Sequence, residues 1–140
     1  HVARQGLIEA LFPEGMPRLW CPPLTHFDAQ GRIDRGRIEK HWQQLAPYAR
    51  GLLVPGSTSE GWQLTNEQAR DVLSIAIGVA QRWKMHVLVA ALKHDLDAMI
   101  QTISDTTQWL QTLAGTQDWL EIARQTRVAG FTVSRRAETT

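Results

Sequence analysis

Ser57, Thr58 and Ser59, with Glu60 behind them, follow the apolar run Leu52, Leu53 and Val54 across Pro55 and Gly56. Small hydroxyls just past a buried strand give a carboxylate its donors, and backbone N–H groups of a tight turn add more. The same residues also satisfy an ordinary turn, and on residue type alone the two uses weigh equally. Glu60 reads as a helix-entry or surface acid. The lysines stand at 40, 84 and 93. Lys40 and Lys84 fall in helical or pre-strand surface contexts. Lys93 follows an apolar strand at its C-terminal end, the face on which parallel sheets do chemistry. An amine nucleophile there needs a pKa lowered by burial or a nearby cation. His94 helps only when protonated and Asp95 opposes it, so Lys93 reads first as a loop charge and second as a Schiff-base candidate.

Other chemistries find less. His26, His41, His86 and His94 lack the His-x-x-x-His spacing of one helix face, and Cys21 is the single cysteine, so no metal site is expected. Between Leu19, Trp20 and the prolines, Cys21 reads as a buried, inert thiol. No Gly-x-Gly-x-x-Gly follows a strand and no phosphate-binding Gly-x-x-x-x-Gly-Lys-Ser/Thr loop occurs, so no nucleotide cofactor is expected. Tyr48, the single tyrosine, sits near the end of the first crossover helix.

The totals agree with one globular unit. The chain has 140 residues, is 43% hydrophobic and carries a formal net charge of +1. Its cations are scattered rather than striped, so neither nucleic acid nor an anionic membrane is an expected partner. No apolar run approaches the ~20 residues that span a bilayer, and no signal peptide is visible, which makes the cytoplasm the expected compartment. The chain starts at His1 and stops at "SRRAETT", as a processed, frameshifted or excerpted sequence would.

Leu7, Ile8, Leu11 and Phe12 predict an amphipathic helix over 3–12, within an N-terminal extension of residues 1–17. A partial β/α unit is expected over 18–134, with strands near 18–24, 51–55, 86–92 and 128–133, and a tail over 135–140. Pro22 and Pro23 belong near the end of the first strand, because each removes a ladder donor. Asp34 caps a helix with Ile38, Trp42 and Leu45 on its apolar side, broken by Pro47 and closed by Gly51. Thr65 and Gln68 form a capping box for a helix to about Arg82. A third long helix over 96–114 has Leu96, Met99, Ile100, Ile103, Leu110 and Leu113 as its apolar residues, and a further helix covers roughly 117–126. Strands alternating with helices predict right-handed crossovers and a parallel sheet, either doubly wound or part of a β/α barrel.

Three stretches in order resemble the dihydrodipicolinate synthase and N-acetylneuraminate lyase family. "LTHFDAQGRID" is similar to the family's first strand end and turn. "GLLVPGSTSEGWQLTNEQ" is similar to its second strand, Gly-Thr-Thr-Gly-Glu motif and Leu-Thr helix cap. "HVLVAAL" is similar to its third strand, and "RVAGFTV" to its fourth. The resemblance covers residues 18 to 100 well. It implies an α/β fold, the N-terminal half of a (β/α)8 TIM barrel with about four parallel strands, in an oligomer of identical chains. It implies a lyase that binds pyruvate or a related 2-oxo acid as a Schiff base, with no cofactor. Ser57 and Thr58 match the paired threonines that hold the substrate carboxylate and join the proton relay. Ser59 departs from the family's glycine. The family's catalytic lysine and proton-shuttling tyrosine belong to later strands, which these 140 residues do not include.

Two expectations result. One is a truncated class I aldolase or lyase that keeps the carboxylate-binding loop. The other is a non-catalytic half-barrel module held together by self-association, since a cut barrel leaves apolar strand edges.

Overall fold

The computed structural model describes residues 2–56 and 64–135. Four strands, β1 (Trp20–Cys21), β2 (Gly51–Val54), β3 (His86–Lys93) and β4 (Val128–Arg135), form one sheet in the order β1-β2-β3-β4. Every pairing is parallel. Among the described residues five helices accompany them: α1 (Val2–Leu11), α2 (Arg35–Gln43), α3 (Asn66–Trp83), α4 (Leu96–Ala114) and α5 (Trp119–Thr126). A doubly wound sheet reverses its strand order partway, whereas here sheet order follows chain order. This is the arrangement of half a β/α barrel.

Local chemistry sets the helix starts. Asp34 accepts from the Arg37 N–H at 3.1 Å and Asp95 from the Ala98 N–H at 2.8 Å. At α3 the capping box closes both ways: Thr65 Oγ1 accepts from the Gln68 N–H, and Gln68 Oε1 accepts from the Thr65 N–H. Gly115, with φ +70°, ends α4 in the left-handed conformation that a missing Cβ permits.

Helices α2 to α5 share one face of the sheet. Leu52 and Val54 of β2, Val87 and Val89 of β3 and Val128 of β4 are buried in a single cluster. Ile38 and Trp42 of α2, Val72, Ile75 and Ala76 of α3, Leu110 of α4 and Ile122 of α5 complete it. Alternate strand residues thus turn to the helices, as the twofold strand period requires. Within the cluster the Trp42 indole N–H reaches the Leu24 carbonyl at 3.0 Å, tying α2 to the segment after β1.

Five details differ from the sequence reading. The first strand is two residues long rather than seven, because Pro22 and Pro23 offer no N–H to extend the ladder. Helix α2 stops at Gln43, and Gly51 closes no helix; it opens β2 beneath the Trp20 ring, where a Cβ would lie 2.6 Å from Trp20 Cδ2. On α4 only Met99 and Leu110 of the expected apolar residues are buried, while Leu96, Ile100 and Leu113 are exposed. Met99 and Leu110 stand three turns apart on one side, and Ile100 lies about 100° round from Met99. Strand β4 runs to Arg135, so the expected tail begins inside it. Cys21 is half-buried rather than fully enclosed, and burial raises its thiol pKa.

Candidate active site

The hydroxyl-bearing stretch is framed on both sides by ordered chemistry. Upstream, β2 ends at Val54, and Pro55 and Gly56 are buried. A Cβ on Gly56 would lie 3.2 Å from the Pro23 carbonyl oxygen, so the exits of β1 and β2 approach each other closely there. Downstream, Leu64 is buried and Thr65 caps α3. The connection between these points therefore leaves the C-terminal end of the sheet, where parallel α/β folds gather their ligands. Ser57, Thr58, Ser59 and Glu60 lie outside the described residues.

Beside this exit, the segment after β1 is fixed by its own hydrogen bonds. Thr25 is buried, and Phe27 pairs with Ile33 in an isolated antiparallel bridge. Asp28 Oδ1 accepts from the N–H groups of Gln30 and Arg32, each at 2.9 Å, which folds "DAQGRID" into a turn with Gly31 at φ +79°. The Arg32 backbone bond foremost, then that of Gln30 and the Arg32 charge, hold the Asp28 carboxyl below its ordinary pKa.

Lys93 is the last residue of β3 rather than part of the loop after it. It shares the helix-facing side of the strand with Val87 and Val89. Its Nζ donates to Asn66 Oδ1 at 2.9 Å, joining the end of β3 to the first residue of α3. A cavity of about 70 Å³ lies alongside, walled by Val54, Leu73, Val89 and Trp109 and bordered by Lys93 and Arg70. The Arg70 guanidinium rests 5.7 Å from the Trp109 ring centroid. Tyr48 and Lys84 stand at the opposite end of the sheet, and Lys40 is on the exposed side of α2.

Two histidine arrangements escaped the spacing argument because their partners are distant in sequence. His26 Nε2 and His41 Nδ1 are 2.9 Å apart, linking the segment after β1 to α2. His86, the first residue of β3, is buried beside Arg127 and Glu14. Arg127 Nη2 is 3.2 Å from His86 Nε2; a guanidinium only donates, so this ring nitrogen accepts and the imidazole is neutral. Burial first, and then the Arg127 charge, push the His86 pKa down to about 4. Among the described residues no group of three His, Cys, Asp or Glu side chains is placed to hold a metal ion. No helix of the described residues is long and apolar enough to cross a membrane.

Comparison with known proteins gives a partial match. Over 56 residues, 39% of this chain, the sequence is 38% identical to a probable 5-dehydro-4-deoxyglucarate dehydratase of Variovorax paradoxus (strain S110). The match spans 18% of that protein's length. No protein-family model matches the chain.

Proposed function

We propose that this chain carries the 2-oxo acid-binding portion of a lyase of the dihydrodipicolinate synthase and N-acetylneuraminate lyase type. Ser57 and Thr58 hold the substrate carboxylate and pass protons in its reaction. The observation that carries this reading is the framing of their segment, between the buried exit of β2 and the capped start of α3 at the C-terminal end of a parallel sheet. The partial likeness to a dehydratase supports it. By its name that relative's substrate has a ketone at C5 of a six-carbon diacid, adjacent to a terminal carboxylate, which makes it a 2-oxo acid. Pyruvate is the smallest ligand with the same head.

The reaction class needs a lysine amine that attacks the ketone, loses water and leaves an iminium electron sink. Lys93 has its ammonium hydrogen-bonded to Asn66 on the helix-bearing side of the sheet. We assign substrate binding to these residues and the Schiff-base step to a lysine outside these 140 residues; self-association is a separate expectation. The test is pyruvate binding by saturation-transfer NMR, with intact mass after borohydride treatment. Binding that disappears in Ser57→Ala/Thr58→Val supports the carboxylate site, and unchanged binding overturns it. A reduced pyruvate adduct that is absent in Lys93→Ala would move the Schiff base to Lys93.

A second reading has its own support. β4 is eight residues long and has a strand neighbour on one side only among the described residues, and Val133 on it is exposed. Such an edge pairs with a further strand. A non-catalytic half barrel that closes by self-association would use this edge, and sedimentation of the purified chain distinguishes it from a monomer.

A further inference from the structure

The N-terminal end of the sheet, opposite the Ser57 segment, carries a separate cavity of about 450 Å³. That volume lies within the ~300–1,000 Å³ of small-molecule sites. Its walls come from the segment between α1 and β1 and from the residues that precede β2 and β3. Arg18, Arg50 and Lys84 line it, against one carboxylate, Glu14. Glu14 is already occupied, because Arg127 donates to its Oε1.

Helix C-termini gather at this end, and their carbonyls call for cations of their own. Arg50 answers them, donating to the Ala46 carbonyl at 3.3 Å and the Lys84 carbonyl at 2.8 Å. Arg18 and Lys84 are left over. Their side chains make no hydrogen bond or ion pair with any described residue, nor does the Tyr48 hydroxyl. The Tyr48 side chain is 81% exposed, and Met16 and Leu19, also exposed, add apolar surface to the rim. His86 forms part of the wall and is neutral, so it adds no charge of its own. After burial, the Arg127 charge lowers its pKa, Glu14 opposes that, and Arg50 adds a smaller lowering.

We propose that this cavity is a binding site for a small phosphomonoester with an aromatic or apolar body. Arg18 and Lys84 hold the phosphate, and Tyr48 covers the organic part. Charge-assisted hydrogen bonds to the phosphate oxygens provide the affinity, and the exposed ring and its apolar neighbours favour an ester over a bare anion. The cavity lies where β2 and β3 begin, and the Ser57 segment follows the other end of β2. Occupation of one site leaves the other open.

Phenyl phosphate, phenol and inorganic phosphate, each titrated by calorimetry into the 140-residue chain, test the proposal. Phenyl phosphate is expected to bind saturably and more tightly than either fragment. Arg18→Gln/Lys84→Gln should weaken it at least tenfold, with the circular dichroism spectrum unchanged. Tyr48→Ala should weaken phenyl phosphate while leaving inorganic phosphate as before. Ser57→Ala/Thr58→Val should leave phenyl phosphate binding intact, which separates this site from the 2-oxo acid loop. Phenyl phosphate that binds no better than phenol, or equally well to the doubly substituted chain, would overturn the proposal.

Discussion

Arg127 and Glu14 meet in an ion pair across 113 positions of sequence. Through it the segment after α1 is fastened to the turn before β4. Arg127 does more than pair: its Nε donates to the Met85 carbonyl at 2.8 Å, and its side chain is 15% exposed. Its backbone is left-handed, φ +68°, as the C-cap of α5.

Removing each partner should therefore have unequal effects. Glu14→Gln keeps the shape and an acceptor and should cost about 1 kcal/mol. Arg127→Ala strips the Met85 carbonyl and leaves the Glu14 carboxylate unpaired, for about 3 kcal/mol. Urea denaturation of both variants checks the order; equal losses would show that the Met85 bond contributes nothing.

The His86 environment predicts a direction with pH. In the folded chain the imidazole pKa is about 4, against 6.5 for an ordinary histidine. Between those values the unfolded chain binds a proton that the folded one refuses, so stability rises with pH across this window. It is complete above about 6.5 and is lost progressively as pH falls toward 4, by up to ~3 kcal/mol. Glu14 acts the same way at lower pH. Its burial would raise the carboxyl pKa, but the Arg127 hydrogen bond and charge outweigh that and hold it below 4.5. Stability curves at pH 7, 6, 5 and 4 should show the decline, and His86→Gln should flatten it above pH 4.5.

Gly51 is a test of packing. Any Cβ at this position overlaps the Trp20 ring. The ring must tilt or β1 must shift, and overpacking of this kind costs about 1–3 kcal/mol. Gly51→Ala should lower the melting temperature and change the near-ultraviolet tryptophan signal together. Gly78→Ala, on α3 with open space around it, should leave the tryptophan signal alone and raise helix stability by up to ~1 kcal/mol.

The α3 capping box gives a smaller, cleaner effect. Thr65→Ala removes the acceptor of the Gln68 N–H and should cost about 1 kcal/mol. Thr65→Ser keeps the hydroxyl and should be nearly neutral. Because α3 starts directly after the Ser57 segment, pyruvate binding in Thr65→Ala reports whether that segment depends on the helix start.

Much of this architecture could be read from local signals. Asp34, Thr65 and Gly115 act on backbone within a few residues, so their roles follow from residue type and spacing alone. The buried runs of β2 and β3 were equally plain, because a short continuous apolar run bounded by turn residues marks a buried strand. The length of β1 was not, since the apolar run around it looks the same whether or not its N–H groups find partners. The polar clusters were out of reach for another reason. His86 and Arg127 are brought together by the pairing of β3 with β4 and joined by Glu14 from the segment after α1, as are His26 and His41 by the packing of α2, and no spacing rule along the chain encodes either. Lys93 shows the same limit: its place at the C-terminal end of the third strand was visible, but not that it belongs to the strand or that Asn66 would take its ammonium.

Strand order that copies chain order has an evolutionary and engineering meaning. Each of the first three strands, with the helix or helices that follow it, forms a cassette whose neighbours in space are its neighbours in sequence. Cassettes of this kind can be appended, deleted or duplicated at an edge without rethreading any other part of the chain. A fifth cassette fused after Arg135 would dock on β4 while the first three strand pairings kept their register. The four-strand sheet is thus a ready substrate for recombination, in which a half is exchanged or doubled as a block rather than rebuilt residue by residue.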